Sequence, residues 1–239
     1  MSPERASSPQ RSGRYGELLA EAHRARNRGR ERRAIALYKR ILLEDPQNAD
    51  VALRVAPMLA RRGEGFEAWQ IYRAAARDFA RAKQFHECLT VYREACRFVP
   101  WEFEAWRLSA ELQLKMGREE AAFETLIDGR NQFRDPHSRA QAIALLTRAR
   151  AIEPWEPHLV LDLARLYVRN DQADVSLELL SCLALRVRGA LLRQVRALQW
   201  RITLSPRYAY LWLRALLEHD EQEGREPAGL GSRAFERSR

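Results

Sequence analysis

The sequence predicts an all-α array of repeated helices. Three observations carry that prediction: prolines at near-constant spacing, apolar columns at helical intervals, and helix-ending residues at matching positions. Pro46, Pro100 and Pro154 stand 54 residues apart, and Pro206 follows after 52. Around them ALYKRILLEDPQNADVALRVAPMLARRG, TVYREACRFVPWEFEAWRLSAELQLKMG and ALLTRARAIEPWEPHLVLDLARLYVRND lie in register. A fixed internal period of this kind marks a repeat architecture.

Each column of the alignment has a physical role. Tyr38, Tyr92, Leu146 and Leu198 are equivalent, as are Ile35, Leu89, Ile143 and Val195. Small residues recur at Ala56, Ala110 and Ala164, and again at Ala68, Ala122 and Ser176, where neighbouring helices need close approach. Tyr72, Leu126 and Leu180 form a large column. Spacings of three and four between such columns belong to amphipathic helices, not strands. Gly63, Gly117 and Asp171 fall where a helix must end and tolerate a left-handed cap, and the prolines stop the preceding helices.

A 54-residue unit holds three helices of about four turns. Along the chain this gives twelve: 15–28, 31–44, 48–62, 66–81, 84–98, 102–115, 118–132, 137–151, 156–169, 172–187, 190–204 and 207–220. The helical array is expected over 14–220. Residues 1–13 and 221–239, rich in Ser, Pro, Gly, Arg and Glu, are expected to be disordered tails.

Composition narrows the function classes. No apolar run approaches the ~18 residues of a spanning helix, and the N-terminal MSPERASSPQRSG lacks the apolar region of a secretory signal. Cys88, Cys96 and Cys182 have no CxxC spacing and read as reduced thiols of a cytoplasmic protein. The formal net charge of +9 is uneven: residues 1–40 hold +7 and the rest +2. Arg24, Arg26, Arg28, Arg30, Arg32 and Arg33 crowd the first predicted hairpin. They form a solvated cap or a contact for an acidic protein or nucleic acid.

No catalytic, metal or cofactor constellation stands out. The five histidines are scattered without HExxH spacing, and no GxSxG, Walker loop or GxGxxG occurs. His86, Glu87 and Cys88 are dense in sequence, but helix neighbours point to different faces. Cys88 also shares a small column with Ala34 and Ala142. Trp101 and Trp155 recur after the unit-ending prolines, as turn-fixing contacts or as an aromatic cage. In the final helix Tyr208, Trp212, Ala215 and Leu216 form a core stripe, while Tyr210, Leu213 and Leu217 form a second apolar stripe. The equivalents of that second stripe are Glu104, Arg107 and Glu111, then His158, Leu161 and Arg165, and these are mostly polar. Arg107, Glu111, His158, Arg165, Tyr210, Leu213 and Leu217 are therefore the candidate partner-binding residues.

YGELLAEAHRARNRGRERRAIALYKRILLEDPQN resembles a tetratricopeptide repeat through Gly29, Ala34, Tyr38, Ile41 and Pro46. ADVALRVAPMLARRGEGFEAWQIYRAAARDF does so through Ala56, Gly63, Ala68 and Tyr72, and FEAWRLSAELQLKMGREEAAFETLIDGRNQF through Trp106, Ala110, Gly117, Ala122 and Leu126. The resemblance covers about 15–219 and departs from the family in the three-helix period, in Pro57 inside a helix, and in Arg201 at an apolar column. Pro57 implies a kink near Leu53.

The resemblance implies a right-handed superhelical solenoid of antiparallel helices and a non-enzymatic adaptor or scaffold. Such a scaffold binds a peptide or helix of another protein, or a second copy of itself, on its concave surface or C-terminal end. In relatives that clamp a C-terminal carboxylate, Lys and Asn line the groove. Leu19 and His23 stand at the matching positions of the first repeat, so that clamp is not supported. The alternative is RNA binding through the basic first hairpin. The half-a-tetratricopeptide repeats of RNA-processing complexes are similar in their Trp-rich first helices, as at Trp106.

Overall fold

The structure, a computed structural model, describes residues 9–46 and 48–223, with side chains over 14–46 and 48–217. Among the described residues all regular structure is helical, and the chain forms two compact units, Met1–Ile152 and Glu153–Arg239. The first holds α1 (Pro9–Asn27), α2 (Glu31–Glu44), α3 (Ala49–Arg61), α4 (Gly65–Arg81), α5 (Phe85–Phe98), α6 (Phe103–Lys115), α7 (Glu119–Gln132) and α8 (Arg139–Ile152). A short 3₁₀ turn, Pro136–Ser138, leads into α8. The second unit holds α9 (Pro157–Arg169), α10 (Ala173–Ala184), α11 (Gly189–Thr203) and α12 (Pro206–Glu223). Within each unit every helix packs against the next in sequence, and α3 also meets α5 as α9 meets α11.

The helices follow the sequence spans closely, with differences at the ends. α1 begins at Pro9 and α12 runs to Glu223, so residues 9–13 and 221–223 are helical rather than tail. Residues 1–8 and 224–239 of the expected tails lie outside the described residues. α3 continues through Pro57 to Arg61, and Pro57 itself is buried.

The aligned columns are the core. Ala34, Cys88 and Ala142 are buried, as are Ala56, Ala110 and Ala164, and Ala68, Ala122 and Ser176. With little side chain at these positions, helix axes can approach to the ~8–10 Å of close packing. Tyr38, Tyr72, Leu126, Leu146 and Leu180 fill the layers between. Gly63, Gly117 and Asp171 all adopt positive φ, between 59° and 82°. Each sits in the same paired cap: Glu64, Arg118 and Gln172 donate backbone N–H bonds to Leu59, Gln113 and Tyr167 at 2.9–3.0 Å. That double-bonded terminus satisfies carbonyls a helix end leaves free. Arg201 stands exposed where Ile41, Ala95 and Ala149 are buried, so the apolar column breaks in the last unit.

One glycine explains a close approach inside the first unit. Gly129 lies within α7, where glycine costs about 1 kcal/mol relative to alanine. A Cβ there would meet the Trp106 ring and Cβ at 2.9–3.0 Å. Trp106 cannot easily yield, because it is buried and its indole N–H donates to the Pro100 carbonyl at 2.8 Å. Gly129→Ala is therefore expected to lose about 1–2 kcal/mol net, overpacking outweighing the gain in helix propensity. Urea unfolding checks this, and an unchanged or raised midpoint would contradict the close approach.

Candidate functional site

Three surface features, each within one unit, hold the candidate residues other than His158 and Arg165 of α9. The first is a groove of about 460 Å³ across α6, α7 and α8. Ala110 of the small column leaves room for it: Ala110 and Leu126 form the floor, Leu114 and Ile152 add apolar edges, and Glu111 on α6 faces Arg148 on α8. Arg107 is held by a forked contact to Glu104, with Nη2 and Nε at 2.5 and 3.0 Å from the two carboxylate oxygens. Its Nη1 donates to Glu111 Oε1 at 2.6 Å, and Arg148 Nε lies 3.8 Å from the same oxygen. Such a fork is pre-organised, unlike a lysine contact.

Charge placement sets the titration of this site. The Arg107 guanidinium holds the Glu104 carboxyl below its ordinary value, and the two carboxylates raise Arg107. At the start of α6 burial pushes Glu102 the other way. The thiols of Cys88 and Cys96 are poor nucleophiles at neutral pH: burial raises Cys88 and takes Cys96 up to about 12. Cys88 Sγ instead donates to the Ala76 carbonyl at 3.3 Å, the role of a small core residue.

The second feature is the first hairpin. All six predicted arginines are exposed, but only Arg24, Arg28, Arg30 and Arg33 line a shared cleft, with Ala25 and Glu21. Leu19 and His23 on α1 are half-buried, and the His23 ring packs 6.1 Å from Tyr38. The carboxylate-clamp positions are thus taken up by packing.

The third is α12. Tyr210, Leu213 and Leu217 are 64%, 52% and 68% exposed, while Ala215 is buried and Trp212 stacks on Trp200 of α11 at 5.2 Å. The two stripes read from the sequence are therefore one covered face and one uncovered face. On α9 His158 and Arg165 are exposed, but Leu161 between them is fully buried, so the equivalence with the second stripe fails there. Arg107 and Glu111 are the only predicted pair the structure joins by an ion pair among the described residues. Arg148, Leu114 and Ile152 were not singled out by the sequence. Their equivalents one unit earlier are Glu94, Ala60 and Phe98, so no repeated signal marks them.

Trp101 and Trp155 have separate environments. Trp101 lies over Gly65, whose Cβ would meet its ring at 2.5 Å, and Arg186 stacks 3.6 Å from the Trp155 centroid. Among the described residues no group of His, Cys, Asp and Glu could hold a metal ion, and no helix is long and apolar enough to cross a membrane.

Residues 137–198 match the tetratricopeptide repeat family. No curated protein matches the sequence. Solved structures with similar helix order include a tetratricopeptide repeat protein of Parabacteroides merdae, 13% identical over 87% of this chain and 92% of that one, TM-score 0.32. Another is pilF of Pseudomonas aeruginosa, 15% identical over 91% and 95%, TM-score 0.30. A third is a thermophilic tetratricopeptide repeat protein of Thermus thermophilus, 15% identical over 89% and 93%, TM-score 0.31. Helices packed in sequence order and repeated at a fixed period define the class: an all-α helical-repeat protein. More particularly, residues 137–198 carry the tetratricopeptide repeat, whose fold generally serves protein–protein interaction, within a chain that is helical throughout its described residues.

The forked pair predicts a pH signature. Glu104 has a folded value below the unfolded one near 4.5, so the contact adds stability above that value and loses it as pH falls through the lowered folded value. Glu104→Gln should cost no more than about 1 kcal/mol at neutral pH, because the pair is part-exposed. Wild type and variant should converge in acid. A difference that persists or grows there, by thermal unfolding across pH, would contradict the assignment.

Proposed function

We propose that this chain is a cytoplasmic adaptor or scaffold, without catalytic activity, that holds a peptide or helix of another protein. The α6–α7–α8 groove carries the reading. Its floor of Ala110 and Leu126 offers apolar burial, and Glu111, held by Arg107, and Arg148 offer fixed polar contacts at the walls. That combination of buried apolar area with a few placed polar groups is how helical repeats take up partner segments. Three unpaired cysteines fit a reducing compartment. The exposed stripe Tyr210, Leu213 and Leu217 is the second docking element, for a partner helix or a second copy of the chain. His158 and Arg165 on α9 are peripheral polar contacts.

The competing reading is RNA binding through Arg24, Arg26, Arg28, Arg30, Arg32 and Arg33. Affinity capture from native lysate with and without nuclease separates the two. The wild type should retain a nuclease-resistant protein partner that Leu114→Asp with Arg148→Glu loses. Leu213→Asp with Leu217→Asp should weaken the same capture while helicity stays intact by circular dichroism. A partner lost on nuclease treatment, or kept by both double variants, contradicts the proposal. A light-scattering change from dimer to monomer in the Leu213/Leu217 variant would assign that stripe to self-association instead.

A further inference from the structure

The structure places four of the six hairpin arginines around one cleft, and the grouping is selective. Arg24 comes from the last turn of α1, Arg28 from the turn that follows it, Arg30 from the N-cap of α2, and Arg33 from the first turn of α2. Arg26 and Arg32 belong to the same hairpin and do not line it. Among the described residues Arg24, Arg28 and Arg30 have no carboxylate within ion-pairing distance, and Arg24 Nε only grazes the Ala20 carbonyl at 3.4 Å. Arg33 is the exception. Its Nη2 sits 2.5 Å from Glu21 Oε1, so the single carboxylate lining the cleft already occupies one arginine. Arg30 caps α2 without a side-chain hydrogen bond to its first turn, leaving the positive end of the helix beside the cleft.

We infer that this cleft binds a phosphorylated side chain of a protein partner, with the phosphoryl group displacing Glu21 from Arg33. The inference rests on the protein-partner reading above. Several physical features favour a phosphoserine or phosphothreonine over a nucleic acid. The cleft measures about 190 Å³, below the ~300 Å³ at which pockets begin to hold drug-sized ligands, and so suits a small anionic group. Guanidinium groups meet a phosphoryl dianion through paired, charge-assisted bonds. A polyanion instead needs a long positive track, whereas the excess charge is confined to residues 1–40, with only +2 across the remaining chain. Glu21 partly neutralises the cleft and discriminates against weaker anions, since a ligand must outcompete it.

The test uses the full chain at constant ionic strength and a fluorescein-labelled heptapeptide of glycine and alanine with one central phosphoserine. The serine peptide, inorganic phosphate and a single-stranded 20-nucleotide RNA serve as comparisons. The phosphopeptide should bind at least about tenfold tighter than the serine peptide, and inorganic phosphate should displace it. Arg24→Glu with Arg28→Glu should weaken it by at least about tenfold, and Arg26→Glu with Arg32→Glu by less than about threefold, because only the first pair lines the cleft. Glu21→Gln should tighten binding severalfold, an effect that a merely structural ion pair would not produce. All the altered sites are exposed or half-exposed, so circular dichroism should report unchanged helicity. Equal affinity for the two peptides, or equal loss in the two arginine pairs, overturns the inference. So does RNA binding tighter than the phosphopeptide with a salt slope of several phosphates. Because the Leu114/Arg148 variant leaves the cleft intact, its phosphopeptide affinity should match the wild type whatever becomes of the groove partner.

Discussion

Two neighbouring helices can close to packing distance only where one of them offers almost no side chain, and in this chain the rest depends on that constraint. Ala34, Ala56, Ala68, Ala122, Ala142, Ala164 and Ser176 are fully buried, and Cys88 and Ala110 nearly so, at the crossings. An amphipathic helix of thirteen or fourteen residues is marginal alone, and its apolar face finds cover only on the helices before and after it. The small columns make that cover close enough to exclude water. Where a side chain intrudes, the opposing helix gives up its own: Gly129 yields to Trp106, and Gly65 to Trp101.

The same constraint creates the groove. Ala110 and Leu126 recede at the α6–α7 crossing, while Glu111 and Arg148, one residue off the column on α6 and on α8, stand at the sides. A small residue that serves packing below thus leaves a floor for a ligand above. The polar wall is specific to the middle unit. Glu104, Arg107 and Glu111 replace Asp50, Leu53 and Pro57 of the preceding unit, so the forked ion pair has no counterpart there. Function of this kind resides in substitutions on a repeated frame.

Much of the frame was legible in the sequence because periodicity reports burial. Pro46, Pro100 and Pro154 fixed the register, and Gly63, Gly117 and Asp171 marked caps that do adopt left-handed backbone. Lys83 adopts it as well, where the first repeat has Gly29, and nothing in its side chain announces that. The exposed stripe of α12 was readable because a second apolar face is anomalous on a helix. The sites were less legible. Which four of six arginines converge depends on the turn between α1 and α2, and Arg148 reaches Glu111 across sequence-distant helices. Neither arrangement has a period to reveal it. Leu161 shows the limit of reading by column, since its register position matches Arg107 and Leu213, yet it is buried.

Small columns, not surface ion pairs, hold the array together, and one comparison tests that claim directly. Ala122, on α7, is fully buried in a small column, whereas Ala140, on α8, faces solvent. The same change to leucine at each, followed by urea unfolding, isolates the crossing from helix propensity. Ala122→Leu is predicted to lose about 1–3 kcal/mol, and Ala140→Leu to stay within about 0.5 kcal/mol of wild type. Equal tolerance at the two positions would contradict the claim.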